Sequence, residues 1–175
     1  VVSATLRTIY DRGHDIGIHP AYETYRDEAR MERQVNLLLD AAEQLGIEVV
    51  ELGSRQHYLR WDTETPAIQA KAGIRRDSTL AYADHAGFRC GTAKPYRMFD
   101  LGREHELDLM QVPLIAGDTI AEYMGLEGAA LRSSFEKLRR RSLAHGGDFT
   151  FLWHNSSLVR TEDREHYLSI IGGAL

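Results

Sequence analysis

The 175-residue sequence has one cysteine, Cys90. A single thiol excludes an internal disulfide and a cysteine-rich zinc site, and it fits a reducing compartment. No stretch approaches the roughly 20 consecutive apolar residues of a membrane span, and no signal-peptide pattern opens the chain. Positive charge is not in excess: the formal net charge is −5, so nothing general draws the chain to nucleic acid or to an anionic membrane. Internal repeats, low-complexity tracts and linker-like segments are missing too, which makes one domain over 1–175 the economical reading. What remains is ordinary for a globular protein, 43% hydrophobic and 27% charged, and long enough to bury a core.

Gly13 to Glu23, GHDIGIHPAYE, is the most compressed stretch in the chain. Alternation along a strand puts Ile16 and Ile18 on one face and Asp15, Gly17 and His19 on the other. Pro20 has no N–H to continue a ladder, so the strand is expected to end at His19. His14 faces away from His19 and reads as structural.

Around this stretch the pattern alternates. Helices are expected over Val2–Tyr10, Ala29–Leu45, Ala129–Ala144 and Asp163–Ile171, with shorter ones starting at Thr65-Pro66 and spanning Asp118–Met124. Met31, Val35, Leu38, Leu39, Ala42 and Leu45 recur at helical spacing, as do Leu131, Phe135, Leu138 and Ser142. Asp118 or Thr119 can cap its helix. Strands are expected over Ile16–His19, Ile47–Leu52 and Phe149–Trp153, and strands or strand ends over Arg55–Trp61 and Ile74–Leu80. Gly87–Thr92, Tyr96–Leu101 and Leu109–Ile115 read as further extended segments, and Tyr22–Asp27 as a loop. Such alternation predicts an α/β domain with a mainly parallel sheet or barrel.

In such folds the chemistry lies at the C-terminal ends of strands. Those ends carry His19 with Glu23, Arg55 with His57, Asp77, and His154 with Asn155. Together they could bind one divalent metal and place a general acid. Each also has a plain structural alternative. His19 could cap its strand, Asp77 and Arg55 could be an ion pair, His57 could lie on the surface, and His154 could bond a backbone carbonyl.

The order GHDIGIHPAY, RQHYLRW, RRDSTLAYADHAGFRCGTAKPYRMFDL and FLWHNSSL resembles the polysaccharide deacetylases of carbohydrate esterase family 4, the NodB-homology fold, over about Leu6 to Leu158. It is most similar to a bacterial branch often found among surface-polysaccharide genes. The resemblance implies a distorted (β/α) barrel and removal of acetyl groups from N-acetylated sugars. It also implies a divalent metal, zinc foremost, held by one Asp and two His. His19 then matches the first His of the family's His-[Ser/Thr]-x-x-His metal motif. Glu23 stands where the second His belongs, and Pro20 replaces the Ser/Thr. His19 and Glu23 are the implied metal ligands. Arg55 corresponds to the third-motif Arg that orients the base, although the family's Arg-x-Pro-Tyr is RQHY here. Asp77 matches the fourth-motif Asp that supports this Arg, and His154 matches the general acid. Trp153, His57 and Tyr22 are placed as substrate-binding residues, Trp153 with the alternative of a core tryptophan.

The family's first motif carries two Asp residues, the base and a metal ligand, yet no Asp-Asp or Asp-x-Asp precedes Gly13. The chain is therefore expected to be incomplete at its N-terminus and inactive alone. Two functions are open: a metal-dependent sugar deacetylase represented by its C-terminal portion, or a non-catalytic relative that binds carbohydrate. Location stays open between a cytoplasmic protein and an exported one whose signal would lie upstream. The Arg139-Arg140-Arg141 run reads as a solvated helix face, not a partner-binding module.

Overall fold

The computed structural model describes residues 2–172. They fall into two compact units, 2–79 with 96–111, and 80–95 with 112–172.

The first unit holds a five-stranded sheet in the order β1 (Gly17–Ile18), β2 (Gly53–Ser54), β3 (Arg76–Asp77), β5 (His105–Gln111), β4 (Tyr96–Asp100). The first four strands run parallel and β4 is antiparallel at the edge. The register puts Ile18, Ser54, Asp77 and Gln111 in one row across the sheet. Gly17 makes the β1–β2 contact possible, because a Cβ there would lie 2.8 Å from the Gly53 carbonyl oxygen.

Three helices belong to this unit: α1 (Val2–Asp11), α2 (Glu28–Gln44) and α3 (Thr65–Lys71). Asp27 caps α2, its carboxylate accepting from Arg30 N at 2.9 Å. Gly46, at φ +63°, ends it with the Ile47 N–H on the Ala42 carbonyl. Met31, Val35 and Ala42 are buried on its inner face, and Leu39 of the expected stripe is exposed. Pro66 occupies the first turn of α3, where a missing N–H costs nothing.

The second unit pairs β6 (Leu114–Gly117) with β7 (Thr150–Leu152) in parallel. Helices α4 (Asp118–Tyr123), α5 (Gly128–Ala144) and α6 (Thr161–Gly172) accompany them. Phe135, Leu131, Leu138 and Ser142 of α5 are buried, as their spacing predicts. Phe135 is the hub, with ring centroids of Phe149, Phe151 and Trp153 at 6.1, 6.3 and 6.4 Å. Burying a phenylalanine this fully contributes about 2–3 kcal/mol. Arg139 and Arg140 pair with Glu136 along α5, in keeping with a solvated face.

Several expected elements shift. Ile47–Leu52 forms no strand; the ladder is made by Gly53–Ser54, after the apolar run rather than within it. Arg55–Trp61 is not extended but folds into a 3-10 turn over His57–Leu59. Gly87–Thr92 is turn and coil. The extended run expected at Leu109–Ile115 divides between β5 and β6, and β4 with β5 forms an antiparallel hairpin that the parallel pattern did not foretell. Thr24–Arg26, within the expected loop, is a 3-10 turn. Among the described residues the strands form these two sheets and no closed barrel, and no helix is long and apolar enough to cross a membrane.

Candidate functional site

In the first unit, the residues after β1 and β2 converge. His19 comes after β1, and its Nδ1 lies 2.7 Å from the Arg55 carbonyl oxygen. A carbonyl only accepts, so Nδ1 carries the proton and Nε2 presents its lone pair. That lone pair meets the Nδ1–H of His57 at 3.1 Å, with the ring centroids 5.0 Å apart. The sequence therefore brings together His19, the Arg55 backbone and His57.

The turn that delivers His57 is strained. Tyr58 and Leu59 have φ of 55° and 53°, in the left-handed region that side chains with a Cβ avoid. Each such residue costs about 1–2 kcal/mol and persists only where its surroundings over-determine it. They do so here. On one side Gln56 is buried, its N–H on Thr79 Oγ1 and its Oε1 accepting from Thr24 Oγ1. On the other side the Arg60 guanidinium sits 3.7 Å from the Tyr22 ring centre and 3.9 Å from that of Tyr25. The turn lifts Tyr58 into solvent, 78% exposed, beside Tyr22 at 47%. The Tyr58 ring stands edge-on to His57 at 4.8 Å and to Tyr22 at 5.8 Å. The result is an open aromatic platform next to two imidazoles.

Glu23 lies with the arginine side of this array, its Oε2 3.9 Å from Arg60 Nη1. Among the described residues no three His, Cys, Asp or Glu side chains are grouped as a metal site. Asp77 is 1% exposed at the end of β3. Its carboxylate accepts from Ser54 Oγ, Gln69 Nε2 and Thr79 Oγ1, each at 2.7 Å, and from Thr79 N at 2.9 Å. Burial pushes the Asp77 carboxyl above the ordinary carboxylate range, against the pull of these donors. Arg55 acts on it through space. Its Nε donates to the Ser78 carbonyl at 3.1 Å, and burial lowers the guanidinium's pKa while the Asp77 charge counters it.

The second unit carries a separate cluster. His154 comes after β7, and its Nδ1 lies 2.8 Å from Asp118 Oδ1. Asp118 begins α4 directly after β6 and is almost buried, with its side chain 7% exposed. Its Oδ2 accepts from the His154 N–H at 2.8 Å and from Ser157 Oγ at 2.6 Å, and its Oδ1 from the Thr119 N–H at 2.9 Å. Burial raises the Asp118 carboxyl, but these donors outweigh it and hold the group below the ordinary carboxylate value. An ionised Asp118 can only accept. His154 Nδ1 therefore carries the proton, and Nε2 is the basic nitrogen of the neutral ring. His154 remains 39% exposed. Trp153, by contrast, is partly buried and packs its ring beside Phe135, Phe151 and Tyr167 against the unit's core.

Asp118 is the residue that sequence reasoning saw only as a helix cap. The signal was present: it directly succeeds the apolar run of β6, the same strand-end position that singled out His19. Tyr58 carried no such signal, because its prominence comes from a left-handed turn.

No family model matches the chain, and no curated protein matches it. Solved structures do. A Mycobacterium smegmatis protein ascribed to the polysaccharide deacetylases superposes with a TM-score of 0.62 at 21% identity, over 98% of this chain and 60% of that one. A Bordetella bronchiseptica protein ascribed to the same group, and to O-antigen biosynthesis, gives 0.55 at 17% identity, over 94% of this chain and 63% of that one. The chain has a mixed α/β fold resembling that of polysaccharide deacetylases. It spans about 60% of the length of the first of these structures. A 4-alpha-glucanotransferase from Thermococcus litoralis also superposes, with a TM-score of 0.58 at 16% identity, over 95% of this chain and 26% of that one. A fold shared across such different activities leaves function to be argued from the residues.

Proposed function

We propose that this chain is part of a sugar N-deacetylase-like protein acting on an N-acetylated sugar or polysaccharide. The observation that supports it most is a repeated device. His19 and His154 each come after a parallel strand. Each has Nδ1 anchored, by the Arg55 carbonyl in one case and by Asp118 in the other. In each the anchor fixes the tautomer that leaves the lone pair on Nε2. A fold resembling that of polysaccharide deacetylases supports the same reading. The distorted (β/α) barrel and the single domain over 1–175 belong to the same proposal.

On this reading His154 is the general acid. Asp118 fixes its tautomer and stabilises the imidazolium, which then delivers a proton from Nε2 to the departing sugar amine. Arg55, half-buried, and the buried Asp77 carry opposite charges behind the strand ends and act on each other through space. Tyr22 and Tyr58 offer faces and edges to the apolar side of a sugar ring, with His57 beside them. A divalent cation, zinc foremost, would polarise the acetamide carbonyl when bound. His19 is the ring prepared for it, since a metal-ligating histidine commonly gives its other N–H to a carbonyl.

A second reading has its own support. Glu23 pairs with Arg60, which favours a carbohydrate-binding relative without turnover. One experiment separates the two: an NMR titration of the chain with N-acetylglucosamine oligomers, with acetate release measured on the same samples. We expect shifts at Tyr58 and His57 that the N-unsubstituted oligomers do not produce. Binding with acetate release supports the deacetylase and overturns the expectation that the chain is inactive alone, and binding without release supports only sugar recognition by this chain. No binding of either sugar, or equal binding of both, overturns the proposal.

A further inference from the structure

We propose that the second unit carries a binding site for a phosphate monoester, in the cavity between the end of α5 and the segment 88–94. The cavity measures about 510 Å³, and its lining includes Phe88, Thr92, Lys94, Arg141 and His145. No carboxylate lines it among the described residues. Arg139 and Arg140, the other members of the arginine run, both pair with Glu136. Arg141 and Lys94 have no ion-pair partner among the described residues. Asp148, the carboxylate next in sequence to the cavity wall, is exposed and stands outside the lining. None of the lining residues belongs to the clusters at His19 and His154.

The plain alternative is that these cations serve α5 itself, whose C-terminus lies here. A helix C-terminus carries about half a negative charge, which basic side chains of the last turn can answer. That charge is already met in part, since the Ser142 and Leu143 carbonyls accept from the Gly147 and Gly146 N–H groups, each at 3.0 Å. Lys94 and Arg141 bring two full charges, so more than one is left for a ligand even with His145 neutral. The backbone holds the two sides of the cavity together. The Ala93 carbonyl accepts from the Asp148 N–H at 3.0 Å, and a Cβ at Gly147 would lie 2.7 Å from the Ala93 carbonyl carbon, so only glycine lets the segments meet. Thr92 Oγ1 accepts from the Lys94 N–H at 2.9 Å. The Lys94 ammonium lies over Gly146, 3.6 Å from where a Cβ would stand.

The ligand follows from the donors. An ammonium, a guanidinium fork and an imidazole match a dianion with three oxygens, whereas a carboxylate is satisfied by one arginine fork. The cavity is larger than inorganic phosphate fills and lies in the range of small-molecule sites. The Phe88 ring, half-buried against the unit's core, gives the carbon part of an ester an apolar wall.

The test is a ¹H–¹⁵N NMR titration of the chain with glucose 6-phosphate, inorganic phosphate, glucuronate and glucose. We expect glucose 6-phosphate to shift the Thr92, Lys94, His145 and Gly147 amides saturably. Inorganic phosphate and glucuronate should do so only at several-fold higher concentration, and glucose should leave these amides unmoved. Lys94→Gln and Arg141→Gln should each weaken glucose 6-phosphate binding about tenfold, while Arg140→Gln changes it by less than about twofold. All three side chains are exposed, so the melting temperature should hold in each variant. Equal binding of inorganic phosphate overturns the ester, and equal binding of glucuronate overturns the choice of phosphate. No saturable shift, or undiminished binding in both Lys94→Gln and Arg141→Gln, overturns the site.

Discussion

Replacing Asp118 by Asn removes a charge and turns one acceptor oxygen into a donor, and the surrounding donors determine how the cluster rearranges. Four of them converge on the native carboxylate: His154 Nδ1 and Thr119 N on Oδ1, His154 N and Ser157 Oγ on Oδ2. Asparagine has one carbonyl oxygen and one amide nitrogen in place of the two carboxylate oxygens. If its oxygen takes the Oδ2 position, the amide nitrogen faces His154 Nδ1 and Thr119 N. The ring can answer by moving its proton to Nε2 and accepting at Nδ1, and Thr119, which is exposed, can turn to water. If the oxygen takes the Oδ1 position, Ser157 can rotate its hydroxyl, but the His154 N–H has no alternative acceptor. The first arrangement therefore wins.

In that arrangement the Thr119 N–H exchanges the carboxylate for water, and the cost comes from the charge-assisted bonds that are lost or weakened, worth about 1.5–3 kcal/mol. We expect Asp118→Asn to lower unfolding stability by about 2 kcal/mol. It should also switch His154 from the Nδ1–H to the Nε2–H tautomer. Long-range ¹H–¹⁵N NMR of the ring reads the tautomer directly, and urea unfolding reads the stability. A variant that keeps the Nδ1–H tautomer would refute the account, since the proton would then face an amide donor.

Four further outcomes are expected. Phe135→Ala should cost about 3–5 kcal/mol in urea unfolding, because the ring is 1% exposed at the centre of three aromatic contacts. Tyr58→Ala should leave the melting temperature nearly unchanged, the side chain being largely exposed, yet weaken N-acetylglucosamine oligomer binding by about 1 kcal/mol, roughly fivefold, in calorimetry. Gly17→Ala should destabilise the first unit by about 1–3 kcal/mol, as its methyl would lie 2.8 Å from the Gly53 oxygen, and should broaden the His19 ring resonances. The two buried carboxylates should respond to pH with opposite signs. The Asp118 contribution is present above the unfolded value of about 3.9 and is lost as pH falls through its depressed folded value. The Asp77 contribution is present below about 3.9 and is lost as pH rises through its raised folded value. Unfolding of the native chain against Asp118→Asn and Asp77→Asn across acid pH checks this, and differences moving in the same direction would contradict it.

Periodicity made the helices legible. The buried positions of α5 are Leu131, Phe135, Leu138 and Ser142, the face that spacing alone picks out, because burial against a core demands a 3.6-residue repeat. Strands were harder. Both β2 and β3 have two residues each, too few for alternation to show, and Gly53–Ser54 carries no apolar signal at all. The β4–β5 hairpin escaped because its alternation misleads, with Phe99 exposed and Asp100 buried, and because the left-handed position of its turn is held by Glu104 at φ 54° rather than by a glycine. Strand-end reasoning found His19, Asp77 and His154 since it depends on topology rather than on side-chain geometry. It could not show that Asp77 is held by Ser54, Gln69 and Thr79 instead of Arg55, as those partners come from the neighbouring strand, a helix and the segment just after β3.

The difference between Glu23 and His57 as neighbours of His19 is the sharpest instance of that limit. A motif read along the chain assumes that both ligands belong to one turn, so the residue four positions on is the natural candidate. Parallel pairing of β1 with β2 sets a different geometry, since the register Ile18↔Ser54 brings the residues after each strand side by side. Arg55 N then donates to the Ile18 carbonyl at 3.1 Å, and the Arg55 carbonyl is left facing His19. The left-handed turn at Tyr58 and Leu59 folds the chain back after only three more residues, which is what keeps His57 beside the His19 ring. A substitution that relaxes this turn would separate the two imidazoles without touching either. Strain of about 1–2 kcal/mol per residue is thus stored in the one segment whose shape decides which side chain meets His19.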